Sequence, residues 1–324
     1  MDMLSGEQIT GTVSPTPDAP GSAEDPTRAP RVLAVALMKS GTHLLQELLI
    51  AMGYRVAGVP RIPQHARVEL TSDDVARIRD AAATSVDEPG LWTSVQDHVQ
   101  LQLGAPLDRH YGRESTNTEP MVGSAYLPFE ATPNDVAWIV SELDPLRVDG
   151  NFWNEWLTTG EPRILFLFRD PRATTLSMVN FLLDANGKGF GDYKDFPVFH
   201  QILSGLNSLD EQLRFALTCP GFPGQRDHAR MRWMLYHPRI FSTSYEALVG
   251  PEGGGASVDK ARAIAGVRRH LGVTESHSTS IYNRDSFTFR VGTVGTWRQE
   301  FSPENLALAN RLFSDDLRAY GYED

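Results

Sequence analysis

Apolar and polar positions along the chain switch between two periods. Val32 to Met38 is an unbroken apolar run between Arg31 and Lys39, the pattern of a strand buried on both faces. The period then turns helical: Leu44, Leu45, Leu48, Leu49 and Met52 share one face, and Gly53 stands where such a helix would stop. Residues 54–59 suit a short second strand. Residues 71–83 read as a helix capped by Thr71 or Ser72, with Asp73 and Asp74 in its first turn. Thr132-Pro133 predicts another helix, with proline at its first position, running to about Leu143. Residues 151–157 are aromatic-rich and read as helical.

A second continuous apolar run, Ile164 to Phe168, ends at Asp170-Pro171 and gives way to a helix over 173–183. A strand over 239–245 leads into a glycine-rich loop at 250–255. A helix over 258–271 is stopped by Gly272, and a last helix from Ser302-Pro303 turns Leu306, Leu312, Phe313 and Leu317 inward. Strands alternating with helices predict an α/β fold: a P-loop-like central parallel sheet flanked by helices, in one domain over residues 31–324. Residues 1–30 are rich in Pro, Gly, Ser, Thr, Ala and Asp without periodicity, and read as a disordered tail. Residues 104–127, rich in glycine, proline and polar residues, read as including a loop over the site.

The first strand ends in Lys39-Ser40-Gly41-Thr42 and feeds a helix directly. The first N–H groups of a helix lack intrahelical acceptors, and the helix dipole adds partial positive charge, so such a turn is an anion site. Lys39 adds a full charge. The turn is not a Walker A loop, because no glycine lies between Arg31 and Ser40. After the second buried strand comes Arg169-Asp170-Pro171, with Ser177 eight residues beyond Arg169. An arginine and a hydroxyl offered from a strand–turn–helix suit a terminal phosphate. A third segment reads Phe287-Thr288-Phe289-Arg290-Val291-Gly292, followed by Gly295 and Trp297.

These three segments, in this order, resemble the PAPS-dependent sulfotransferases. The first is similar to that family's Pro-Lys-Ser/Ala-Gly-Thr loop for the 5′-phosphosulfate, with Met38 in place of proline. The second resembles its R-[ND]-P-x-x-x-x-x-S site for the 3′-phosphate. The third resembles its F-x-R-K-G-x-x-G-x-W loop, with Val291 in place of lysine. Ser244-Tyr245-Glu246-Ala247-Leu248 looks like its [FY]-E-D-L element. The resemblance implies sulfuryl transfer from PAPS, as cosubstrate, to a hydroxyl or less readily an amine. Lys39, Ser40, Gly41, Thr42, His43, Arg169, Ser177, Arg290, Val291 and Gly292 would hold the nucleotide, and Lys39 would neutralise the leaving phosphate. No metal is implied, and no His/Cys/Asp cluster stands at metal-ligand spacing. Residues 54–160 would build the acceptor pocket. The glycine-rich features resemble soluble bacterial members that act in natural-product biosynthesis on small molecules or on carrier-bound chains.

Several candidates stand for the general base. Tyr126, in Tyr126-Leu127-Pro128, takes the place of the histidine in the family's His-Leu-Pro segment. A phenol with an ordinary pKa near 10 is a poor base at neutral pH. His43, His98, His110 and Glu130 are the other candidates; His43 reads first as a donor to the 5′-phosphate. Leu44, where many cytosolic members carry tryptophan beside the adenine, reads as core, and Thr279 or Ser280 could meet the base. A non-catalytic nucleotide- or carrier-binding protein of the same fold, or a P-loop small-molecule kinase, are the competing readings.

Bulk properties narrow the setting. The 324 residues carry a net charge of −11, which argues against general nucleic-acid binding without excluding one local basic pocket. No apolar run approaches the roughly 20 residues that span a bilayer. A single cysteine, Cys219, excludes an internal disulfide and fits a reducing, cytoplasmic compartment.

Overall fold

The computed structural model describes residues 29–59, 62–82, 87–104, 126–141, 143–184, 196–273, 281 and 293–323. Five strands form one parallel sheet: β1 (Val32–Ala36), β2 (Arg55–Ala57), β3 (Val136–Val140), β4 (Arg163–Phe168) and β5 (Ile240–Ser244). Their spatial order is β2-β3-β1-β4-β5. From β1 the chain runs to the edge strand β2, returns to place β3 between β2 and β1, and then crosses to pair β4 on the other side. A reversal of this kind places a ligand crevice beyond the strands' carboxyl ends, beside β1.

Side chains alternate across the pleat, so each buried strand feeds two cores. Val32, Ala34 and Ala36 of β1, Ala137 and Ile139 of β3, and Leu165 and Leu167 of β4 face one cluster. There they meet Leu44, Leu45, Leu48, Leu49 and Met52 of α1 (Thr42–Ala51 and the residue after it). Leu33 and Val35, Val136, Trp138 and Val140, and Ile164 and Phe166 face the other cluster. That cluster is covered by α2 (Ser72–Ala82), α3 (Glu88–Gln102) and α4 (Gly150–Thr159). A third cluster joins α5 (Pro171–Leu182) to α6 (Phe196–Ser204), α7 (Leu209–Thr218) and the helices near residue 310. The remaining helices are α8 (Asp227–Met231), α9 (Tyr245–Val249), α10 (Ser257–Leu271), α11 (Trp297–Glu300), α12 (Pro303–Leu312) and α13 (Ser314–Tyr320).

Two expectations are corrected. The helix expected from Thr132 is strand β3. Thr132 is extended, Asp135 takes φ 55° in the turn after Pro133, and Arg55 fixes that turn with two hydrogen bonds to the Asp135 carboxylate. Val136-Ala137-Trp138-Ile139-Val140 is rich in β-branched and aromatic residues. Pairing between β1 and β2 buries all five, which overrides the helix signal of the proline. The single last helix is two helices, α12 and α13, broken at Phe313; Leu312 points outward, 43% exposed, while Phe313 and Leu317 are buried. Helices α3, α6, α7 and α8 lie where the apolar pattern made no prediction. Residues 1–28 and most of 104–127 lie outside the described residues.

Four histidines, His228 buried and His98, His237 and His270 half-buried, contribute to the pH response. His270, near the end of α10, has its pKa lowered to about 4, first by burial and then by Arg163. His98, His228 and His237 are shifted the same way, each first by burial. A histidine whose folded pKa is depressed favours the neutral folded form, so its contribution is complete above the unfolded value of about 6.5 and is lost as pH falls toward the folded value. Between pH 7.5 and 4.5 we expect urea unfolding to lose about 2–3 kcal/mol through His270 alone. His270→Phe should lessen that pH dependence; an unchanged slope contradicts the assignment.

Candidate functional site

Three of the sequence segments converge at the carboxyl edge of the sheet. β1 and β4 pair in register from Val32↔Arg163 to Ala36↔Leu167, so the turns that follow them lie side by side. The pairing continues past the strand, with the Leu37 N–H donating to Leu167 O at 3.1 Å. Ser40 Oγ is buried, 2.5 Å from Leu37 O and 3.2 Å from Leu167 O. A buried hydroxyl must find an acceptor, so this side chain fastens the turn.

The turn itself is conformationally costly. Lys39 takes φ 61°, a left-handed value sparsely populated by residues with a Cβ, and Gly41 takes φ 102°. Gly41 occupies the N-cap of α1 with no side-chain capping bond, and the first turn of α1 holds no acidic residue. No first-turn carboxylate competes for the N–H groups at this helix start, which suits an anion site under the helix dipole. Lys39 Nζ lies 4.1 Å from the centroid of the Phe181 ring on α5. Thr42 and His43 are half-buried in the first turn of α1.

Arg169 leaves β4 beside this turn. One guanidinium nitrogen, Nη1, lies 3.4 Å from Lys39 O, and the guanidinium sits 4.3 Å from the Tyr245 ring centroid. Its Nε is buried without a hydrogen-bond partner among the described residues. An orphaned guanidinium N–H at the edge of an open turn fits an incoming anion. Tyr245 touches both turns: a Cβ on Gly41 would lie 2.5 Å from Tyr245 Cδ2. His228 Nε2 lies 2.7 Å from Arg169 O, and because a carbonyl only accepts, that nitrogen carries the proton. Burial holds the His228 pKa down. Ser177 is half-buried in α5.

The third segment is seen only at its end. Arg290, Val291, Gly292, Thr279, Ser280 and His110 lie outside the described residues. Val294 N–H donates to Gly253 O at 2.8 Å, which docks the segment on the glycine-rich loop. Trp297 is buried, with the Arg172 guanidinium 4.0 Å from its ring, so the third segment packs against the second. Arg172 also forks the Asp170 carboxylate, at 3.0 and 2.9 Å.

Of the described base candidates other than His43, Tyr126, Glu130 and His98 are engaged in contacts of their own. Tyr126 hydroxyl donates to Glu155 Oε2 at 2.5 Å, and the same carboxylate accepts the N–H groups of Phe129 and Glu130. Burial, then Glu155, pushes the phenol well above its ordinary value, and Tyr126 stands as a hydrogen-bond donor to Glu155. Glu130 is exposed, and its carbonyl accepts from Arg31, ahead of β1, at the opposite edge of the sheet. His98 Nε2 accepts the Leu127 N–H at 3.2 Å, so its lone pair is engaged. With β3 now a strand, Val140 pairs with Val35, and Ser141 and Leu143 follow at the carboxyl edge next to the Lys39 turn. The run of β-branched and aromatic residues at 136–140 was the signal for this neighbour. Among the described residues no group of His, Cys, Asp and Glu is placed to hold a metal ion.

No family model matches the chain, and no curated protein matches it. Among solved structures it is similar to mouse sulfotransferase SULT7A1 complexed with PAP, at 12% identity with a TM-score of 0.50, over 89% of this chain and 84% of that one. This chain has the sulfotransferase fold. It is also similar to retinol dehydratase in complex with retinol and PAP, at 15% identity with a TM-score of 0.40, over 90% and 82% of the two chains; the fold assignment rests on the former. The sulfotransferase fold here thus carries two cationic turns on paired strands, at Lys39 and at Arg169. No helix among the described residues is long and apolar enough to cross a membrane.

Gly41→Ala tests the turn. A Cβ at φ 102° against Tyr245 is expected to destabilise the protein by about 1–3 kcal/mol and to abolish anion binding, measured by chemical unfolding and by phosphate protection. Unaltered stability would show that the left-handed turn is not a constraint.

Proposed function

We propose that this protein transfers a sulfuryl group from PAPS to an acceptor hydroxyl, less readily to an amine. The observation that carries this reading is the pairing of β1 with β4, which sets the Lys39–Thr42 turn and the Arg169–Ser177 turn side by side. Two anion sites at one crevice suit a nucleotide with phosphates at both ends of its ribose. The similar mouse sulfotransferase was crystallised with PAP, the nucleotide left after such transfer, which supports the reading. A P-loop kinase is disfavoured by the short, glycine-poor loop before Lys39.

The chain's residues divide the work as follows. The α1 N-terminus and Lys39 take the 5′-phosphate; Arg169, Ser177 and Arg290–Gly292 take the 3′-phosphate, with Gly292 allowing close backbone approach. As the acceptor oxygen forms its bond to sulfur, the bond from sulfur to the 5′-phosphate oxygen breaks. Lys39 neutralises the charge that appears on that oxygen. Its contact with the Phe181 ring is a cation–π contact, worth about 0.5–2 kcal/mol. The acceptor proton goes to a base other than Tyr126. His43 is in the first turn of α1. Glu142, between Ser141 and Leu143, lies outside the described residues, and its place in the chain makes it the second choice.

Residues 31–324 are read as one domain, with 54–160 lining the acceptor pocket. Acceptors are small molecules or carrier-bound chains of natural-product type, in a reducing cytoplasmic setting that suits a single cysteine.

Transfer of labelled sulfuryl from PAPS to an acceptor panel tests the function. Lys39→Ala should lower kcat by about 10²–10³-fold, on the scale of losing one transition-state charge contact. Tyr126→Phe should hold kcat within about threefold, since its hydroxyl serves Glu155. A Lys39 variant near wild type, or a Tyr126→Phe variant as impaired as Lys39→Ala, contradicts these roles. Absence of transfer to any acceptor, with PAP still bound, favours a non-catalytic nucleotide-binding protein.

A further inference from the structure

The turn that opens α5 is gripped by a residue some 150 positions away. After α13, Gly321 takes φ 77° and the Tyr322 N–H donates to Leu317 O at 2.8 Å, so the chain folds back over the helix end. Tyr322 then touches the second turn by two routes. Its hydroxyl donates to Glu246 Oε2 at 2.6 Å, and Glu246 Oε1 accepts the N–H of Asp170 at 3.2 Å. Its backbone carbonyl accepts from Arg172 Nη2 at 3.1 Å, and Arg172 forks the Asp170 carboxylate. Its ring packs edge-on against Phe168, with centroids 6.2 Å apart. Phe168, Asp170 and Arg172 bracket Arg169, yet none of these contacts is made by the Arg169 side chain. Glu246 also lies near enough to Arg169 for the two charges to interact, although burial is the larger influence on this carboxyl and raises its pKa.

We propose that Tyr322 is a positioning residue for the 3′-phosphate: it holds the Arg169–Asp170 turn, through Glu246 and Arg172, in the geometry that grips that phosphate, without touching the nucleotide. This rests on the donor assignment made above. A direct phosphate contact would need a cation or a free donor, and the Tyr322 hydroxyl is spent on Glu246. A purely structural role would destabilise the whole site; a positioning role acts on one of its two phosphates.

Tyr322→Phe keeps the ring on Phe168 and the backbone bond to Arg172, and removes only the hydroxyl. Calorimetry with adenosine 3′,5′-bisphosphate and with adenosine 5′-monophosphate separates the two phosphates. Affinity of the variant for the bisphosphate should fall about fivefold to tenfold, within the range for losing one hydrogen bond to a charged group. Affinity for the monophosphate should change by less than about twofold, and KM for PAPS should rise with kcat near wild type. Exchange of the Asp170 amide hydrogen should be faster in the variant; this readout holds even if the variant is somewhat less stable. Equal loss for both nucleotides, no loss for either, or unaltered Asp170 exchange overturns the proposal. A wild-type protein that binds the two nucleotides equally overturns the donor assignment, and the proposal with it.

Discussion

The parallel pairing of β1 with β4 is the constraint on which the site depends. Each strand ends in a turn that carries a cation, Lys39 or Arg169, and each turn leans on the other. Ser40 Oγ lies within reach of the Leu167 carbonyl as well as that of Leu37, and Arg169 rests against the carbonyl of Lys39. Tyr245, at the end of the next strand out, fills the space that a Cβ on Gly41 would need and lies under the Arg169 guanidinium. Removing any one of these contacts loosens the other turn. Hydrophobic burial on both faces of the sheet holds the pairing, since Val32 to Leu37 and Ile164 to Leu167 are almost wholly excluded from water.

An acidic chain that gathers cations at one edge must keep them from its own carboxylates. Asp170 is matched to Arg172, at 6% and 2% side-chain exposure respectively, so its charge is satisfied away from Arg169. Glu246 is turned to the Asp170 N–H and to Tyr322. The first turn of α1 has no acid at all. A net charge of −11 is therefore compatible with a local anion site, because the Asp170 carboxylate is matched to Arg172 and that of Glu246 is hydrogen-bonded to the Asp170 N–H and Tyr322.

Much of this was legible in the sequence, for identifiable reasons. The apolar runs at 32–38 and 164–168 are long enough to demand burial on both faces, so β1, β4 and their turns could be placed from pattern alone. The glycine at 41 and the proline at 171 punctuate those turns. β3 was misread because Pro133 mimics a helix start, while the pairing that decides the matter comes from strands far off in the chain. Tyr126 was singled out from a tripeptide, and its partner Glu155 lies 29 residues further on, beyond any local pattern. The grip of Tyr322 on the second turn depends on the path of the chain after α13, which no short motif encodes. Conversely, Leu44 was correctly read as core, because its apolar neighbours recur at helical spacing.

The central claim is that the two turns together form a clamp for a nucleotide bearing phosphates on both its 3′ and 5′ positions. Calorimetric titration of the wild-type protein with adenosine 3′,5′-bisphosphate and with ATP tests it most directly. The account predicts clear binding of the bisphosphate and weaker binding of ATP, with or without Mg²⁺. Tighter binding of ATP would contradict it.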